Sequence, residues 1–159
     1  MSATVLVNLS SPLWPAEEEE RVARAVHATL EAEGRAAEEI EVGVLLTDDA
    51  ESRKINLEFR GLDRPANVLS FAMEDGEAFP DSEEGALLLG DVVIPYETTV
   101  REAGEAGLPV ADRLVHLVVH GVLHLLGYDH ERSEAEAERQ EAREVVILAG
   151  LGMANPYEI

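Results

Sequence analysis

Apolar residues recur in short β-like runs at four places along the chain and with helical spacing at five. The segment 4–9 is apolar, rich in β-branched residues and stopped by Ser10, Ser11 and Pro12, which predicts a first strand. Over 17–33, Val22, Ala23, Ala25, Val26, Ala28 and Leu30 keep helical spacing behind an acidic first turn, and Gly34 supplies a stop. Residues 40–47 alternate and then turn wholly apolar, as expected of a strand buried on both faces. A helix over about 50–59 follows, with Asp48 or Asp49 as cap and Gly61 as terminator. The runs 67–73 and 86–94 read as strands, and 74–85, mixing acids, Gly and Pro, reads as a surface loop between them. Three helices complete the chain, over about 96–106, 110–126 and 133–148, the last with charges expected mostly to face water. The pattern predicts one α+β domain over 1–159, a small mixed sheet of about four strands packed with about five helices. Strand order is not readable from it.

Composition narrows the chemistry. With 159 residues, 46% hydrophobic and 28% charged, the chain has an ordinary globular make-up. Twelve Lys and Arg against 33 Asp and Glu leave a net charge of −21, which repels nucleic acid and anionic membrane unless positive charge is gathered locally. Cysteine is absent, so there is no disulfide framework, thiolate site or cysteine nucleophile, and any metal must be held by His, Asp or Glu. The first residues lack a basic segment followed by a long apolar stretch, and no run reaches about 18 apolar residues. A soluble, cytoplasmic protein without a membrane partner is the expectation.

Four of the five histidines fall within fifteen residues. His116, His120 and His124 stand at i, i+4 and i+8 on one helix, Gly127 follows, and His130 comes three residues later. Histidines one turn apart can present their rings to one point. A glycine that accepts positive φ lets the chain double back and bring a third ring there. Three neutral imidazoles, His120, His124 and His130, suit one Zn²⁺ and leave a coordination position open for chemistry. Burying them unpaired would instead cost about 1–3 kcal/mol for each unsatisfied group.

The spacing is similar to the metzincin protease signature, H-E-x-x-H-x-x-G-x-x-H, with one departure. Gly121 stands where the protease has the Glu that serves as its general base. A mid-helix glycine costs roughly 1 kcal/mol relative to alanine, so its presence asks for a close approach, by a substrate backbone or by another element. Two steps of four residues drift about 40° around a helix, which sets His116 beside the metal rather than on it. A hydrogen-bonded core histidine and a catalytic base are its two readings. Asp129 can orient a ligating imidazole or fix the turn.

At HGVLHLLGYDH the chain resembles the YbeY family of bacterial endoribonucleases that mature ribosomal RNA. The stretches INLEFRGLDRPANVLSF and LGDVVIP fit the same family, and the resemblance runs roughly over residues 40–129. It implies a metal-dependent, single-strand-specific endoribonuclease acting in 16S rRNA 3′-end maturation and ribosome quality control, with a metalloprotease-like histidine helix. It places the zinc ligands on His120, His124 and His130 and an arginine essential for activity on Arg60. Asn67 and Ser70 lie in the matching segment without an assigned role.

Arg60 also has a bottom-up rationale. Arg53, Lys54, Arg60 and Arg64 place four of the twelve basic residues within twelve positions, the one cluster able to offset phosphate repulsion. A guanidinium grips a phosphodiester bidentately and stabilises charge as phosphorus becomes five-coordinate. A helix-terminal arginine complementing the macrodipole is the plainer role. The base stays open among a metal-activated water, His116 and the RNA 2′-hydroxyl. An acidic nuclease should bind free RNA weakly and need delivery by a ribosomal, small-subunit or GTPase partner. Two other classes fit parts of the pattern: a metallohydrolase of peptides or small molecules, and a non-catalytic, zinc-stabilised ribosome-assembly factor.

Overall fold

The computed structural model describes residues 3–72, 87–129 and 132–157. Strands β1 (Thr4–Leu9) and β2 (Ile40–Thr47) run parallel and are joined through helix α1 (Glu18–Ala32). Helix α2 (Asp49–Arg60) follows, then the short strand β3 (Leu69–Ala72) and strand β4 (Leu87–Pro95). The sheet order is β1-β2-β4-β3, with β4 parallel to β2 and β3 antiparallel to β4 on the edge. Helices α3 (Tyr96–Ala106), α4 (Val110–Leu125) and α5 (Glu134–Gly150) complete the α+β fold, a four-stranded mixed sheet with five helices. Among the described residues no single helix is long and apolar enough to cross a membrane.

The strand alternation decides which sheet face is packed. Val42, Val44 and Leu46 of β2 and Val92 and Ile94 of β4 are buried, and they join one core with Val22, Val26 and Leu30 of α1 and Leu114, Val118 and Val122 of α4. On the other face, registered across the strands, lie Leu6, Gly43, Asp91 and Phe71. There Leu6 is exposed, and Asp91 packs so closely over Gly43 that a β-carbon at position 43 would meet its Oδ1. The expected two-sided burial of β2 is therefore corrected: Glu41, Gly43 and Leu45 are only half-buried, because the core formed with α1 and α4 lies against the opposite face.

Other boundaries shift for local reasons. β3 begins at Leu69 and not at Asn67, since Ala66 is tied back to α2 by its N–H and C=O, both bonded to Ser52 Oγ. Asp48 caps α2 by accepting from Glu51 N at 2.9 Å, while Asp49 bridges to α3 by accepting from Thr98 N at 3.0 Å. Gly61 then ends α2 in the left-handed conformation, φ 71°. Ser133 caps α5 rather than opening it, accepting from Glu136 N at 3.1 Å. The expectation that α5 turns its charges to water fails at two positions, for Gln140 and Glu144 are fully buried. The predicted loop 74–85, Met73 and Ala86 lie outside the described residues.

Candidate active site

Helix α4 is buried along most of its length, with Leu114, Leu117, Val118 and Val122 in the core, and it carries His116, His120 and His124 in consecutive turns. Gly121 is where it passes closest to the sheet. A β-carbon there would lie 2.7 Å from Val92 Cγ1 and 3.2 Å from both Ser70 Oγ and Val68 Cγ2. Ser70 Oγ in turn donates to the Gly121 carbonyl at 3.2 Å. The missing side chain thus serves the contact between α4 and β3, and position 121 faces the sheet.

Beside that contact lies a cleft of about 320 Å³, walled by Phe59 and Arg60 at the end of α2, Val68 and the first three residues of β3, and His120 and His124 on α4. Arg60 and two of the expected ligands therefore share one cavity, although they are sixty residues apart in the chain. Several bonds hold the wall in place. Asn56, buried in α2, donates to the Arg64 carbonyl at 2.9 Å, and Arg53 forms a two-bond pair with Asp63 at 2.6 and 3.1 Å. The Asp63 carboxylate first hydrogen-bonds and then attracts Arg53, whose pKa is raised and its own lowered. Arg53 is thus engaged on the exposed surface, and Arg60 is the member of the basic cluster that lines the cleft.

Behind the histidines lies a carboxylate that the charge pattern of α5 concealed. Glu144, 0% exposed, sets Oε2 2.9 Å from His120 Nδ1 and Oε1 2.6 Å from His116 Nε2. Tyr157 donates its hydroxyl to the same Oε1. Burial alone pushes the Glu144 carboxyl up, but the hydrogen bonds from His116, His120 and Tyr157 outweigh it and hold the group at about 2. A carboxylate only accepts, so His120 carries its proton on Nδ1 and keeps the lone pair on Nε2, the nitrogen suited to a metal. Gln140, one turn before Glu144, donates to the His120 carbonyl at 3.2 Å.

His116 is fixed from both sides. Its Nδ1 accepts from Arg113 Nη1 at 3.2 Å, and Arg113 is itself paired with Glu102 at 2.6 Å. The Tyr157 ring stands edge-on to it at 5.5 Å. At 7% exposed, with Nδ1 accepting and Nε2–H donating to Glu144, His116 is a hydrogen-bonded core histidine. Both ring nitrogens thus have partners within the protein, Arg113 on one side and Glu144 on the other.

Gly127 has φ 108°, and the chain doubles back there, with Gly127 N bonded to the His124 carbonyl at 3.0 Å and Tyr128 N to Leu123 at 3.2 Å. Asp129 stabilises the turn by accepting Arg132 N on its carbonyl at 3.2 Å, with its carboxylate 3.9 Å from Arg132 Nε. The third expected ligand, His130, lies outside the described residues. Among the described residues no three His, Asp or Glu side chains gather as a metal site. The two placed donors nonetheless fit zinc: imidazoles one turn apart on one cleft wall, with the tautomer of His120 set by a buried carboxylate. Asn67 sits outside the cleft and donates to Glu102 at 3.3 Å.

Sequence reasoning missed Glu144, Gln140, Tyr157 and the Glu102–Arg113 pair. A signal for the first two existed. Ile147 and Leu148 are the buried apolar residues of α5, and stepping back from Leu148 by one and two turns reaches Glu144 and Gln140.

An endoribonuclease YbeY of Magnetococcus marinus is 52% identical over 128 residues, covering 78% of this chain and 87% of the relative. Those of Sphingopyxis alaskensis and Dinoroseobacter shibae are 48% and 46% identical, covering 91% and 98% of this chain and 88% and 91% of theirs. The solution structure of TM1509 from Thermotoga maritima shares the fold, with a TM-score of 0.60 at 21% identity, covering 98% of this chain and all of that one. The family model described as Endoribonuclease YbeY matches residues 10–152, which takes in both the α2 wall and the histidine helix, and the chain belongs to the YbeY family.

Proposed function

We propose that this protein is a zinc-dependent endoribonuclease that cuts single-stranded RNA, with ribosomal RNA as substrate, in 16S 3′-end maturation and ribosome quality control. The observation that carries the reading is the single cleft lined by Arg60, His120 and His124. The family's name supplies the reaction class.

His120, His124 and His130 would hold the ion, the first through the Nε2 that Glu144 leaves unprotonated. When bound, zinc acts as a Lewis acid toward a phosphoryl oxygen and lowers the pKa of water. The chain's own groups do the rest. Arg60 binds the non-bridging oxygens of the scissile phosphate and stabilises the charge that grows on them. Glu144 keeps His120 in one tautomer and one orientation, and Arg113 with Glu144 holds the His116 ring in place. With His116 engaged and Gly121 facing the sheet, no protein base of the protease kind stands at either position. The nucleophile is therefore water or the substrate's own 2′-hydroxyl, and the product ends distinguish them. A 2′-hydroxyl route leaves a cyclic phosphate and spares a 2′-deoxy substrate.

The net charge of −21 fits a nuclease that is brought to its substrate by a ribosomal or GTPase partner, with weak, salt-sensitive binding to free RNA. The test is metal analysis of protein purified without a histidine tag, joined to cleavage of structured rRNA fragments. His120→Ala should lose both zinc and cleavage. Arg60→Ala should keep zinc and fold but lose cleavage by two orders of magnitude or more. Cleavage retained in Arg60→Ala would contradict the reading. A protein that binds zinc yet cuts no RNA in any form would be an assembly factor instead.

A further inference from the structure

Both described phenylalanines, Phe59 and Phe71, line the cleft, and one of them is held there with its ring open to solvent. Phe59 is 65% exposed, the highest value among the described large apolar residues that stand out from the surface. It is not loose: its ring rests against Phe71 of β3, centroids 5.3 Å apart and planes inclined by 62°. Phe59 immediately precedes Arg60 in the last turn of α2, and Gly61 ends the helix directly afterwards. The bonds of Asn56 and Ser52 to the following loop fix where that turn sits against β3. Leu57 of the same helix is also exposed but does not line the cleft. An anchored aromatic ring beside a phosphate-binding arginine is what single-stranded nucleic acid requires, a π-face for a base next to a grip on its backbone.

We infer that Phe59 is a stacking platform for an unpaired base flanking the scissile phosphate, and that this ring gives the cleft its preference for single strands. The inference rests on the nuclease reading above and adds the base-binding subsite to it. Charge decides for a base over a further phosphate. In a chain of net −21, stacking supplies affinity that counterion release cannot, and every base has a π-face to offer. A paired base, already stacked within its duplex, cannot lie on Phe59 while Arg60 holds its phosphate.

The test uses a ten-nucleotide single-stranded RNA, the same strand with one abasic site, and the full chain with its metal. Phe59→Ala and Phe59→Leu should each raise KM about tenfold, within the span that aromatic stacking gives, with kcat nearly unchanged. Phe59→Trp should retain wild-type KM. Leucine keeps apolar area without a π-face, so wild-type behaviour of Phe59→Leu would overturn the proposal. In Phe59→Trp the intact strand should quench the new indole and the abasic strand should not. The native Trp14 is only 4% exposed and bonded to the Thr47 carbonyl, so it stays silent. Equal quenching by both strands, or a normal KM in Phe59→Ala, would also overturn the proposal, and would assign the ring to a protein contact instead. The two readings fail separately: RNA bound and stacked but never cut removes the nuclease reading alone, and cutting indifferent to residue 59 removes the stacking reading alone.

Discussion

Glu144 reaches from α5 to His120 on α4 and accepts the hydrogen bond from its Nδ1–H at 2.9 Å, so the ring's tautomer is decided by a residue 24 positions away. The same carboxylate holds His116, and its charge is sustained by three donors although it is fully buried. Glu144→Gln keeps the shape but puts an NH₂ where an acceptor is needed. Loss of such a partner typically lowers metal affinity by about 10–100-fold. Chelator competition should read that loss while circular dichroism stays that of the native fold. Unchanged affinity would mean that the carboxylate serves packing alone.

Tyr157 tests the same network from the other end of the chain. Its hydroxyl donates to Glu144 Oε1, and burial together with the neighbouring Glu144 charge raises its pKa, so it stays a donor through the neutral range. Tyr157→Phe removes one donor from a carboxylate that still has two, and should cost about 1 kcal/mol. In a chain of this size that is a fall of about 2–4 °C in Tm. Combined with Glu144→Gln, its effect should be less than additive, because both changes act on one set of bonds. Full additivity would place Tyr157 outside the network.

How much of this was legible beforehand follows from what each pattern encodes. The elements were readable because period-two and helical spacings record which face is buried, and nearly every boundary fell within two residues. Strand order was not, since register and crossover depend on contacts between segments far apart, such as Phe71 against Asp91. The placing of His116, His120 and His124 on one helix was legible because their spacing is itself the geometry of that helix. Glu144 was not read, because it sits in a run of charges on α5 where only its spacing of one turn from Leu148 hints at burial, and its partners on α4 lie out of sight of the sequence. The same blindness made His116 a candidate base: its sequence position gives its face of the helix but not Arg113 and Glu144 on its two nitrogens.

Removing metal should weaken the fold. A ligand that binds only the folded chain stabilises it by about 2.7 kcal/mol when its free concentration is a hundredfold above Kd. For a domain of this size that is about 5–10 °C in Tm. Protein treated with chelator and dialysed should melt lower by that amount, and added zinc should restore it. The His124→Ala variant should show the lower Tm with or without zinc. An unchanged Tm together with a zinc-free wild type would remove the ion from the proposal.

Gly121 sets two effects of opposite sign against each other. Gly121→Ala improves helix propensity by about 1 kcal/mol. Its new methyl, however, would lie 2.7 Å from Val92 Cγ1, with Ser70 Oγ and Val68 Cγ2 at 3.2 Å, in a region where Val92 is fully buried. Overpacking of a dense core costs typically about 1–3 kcal/mol, and here α4 would have to lift off β3, carrying His120 and His124 away from Arg60. The steric effect wins, so Gly121→Ala should lower Tm and reduce cleavage together. The sharper check is a second-site change: Val92→Ala opens room beneath position 121, so the double variant should be more stable than the sum of the single effects allows. A Gly121→Ala protein more stable than wild type would show that α4 has slack against the sheet. Gly121→Glu, which restores the protease spelling, places a carboxylate against the sheet instead of the cleft, and should destabilise the chain without conferring peptide cleavage.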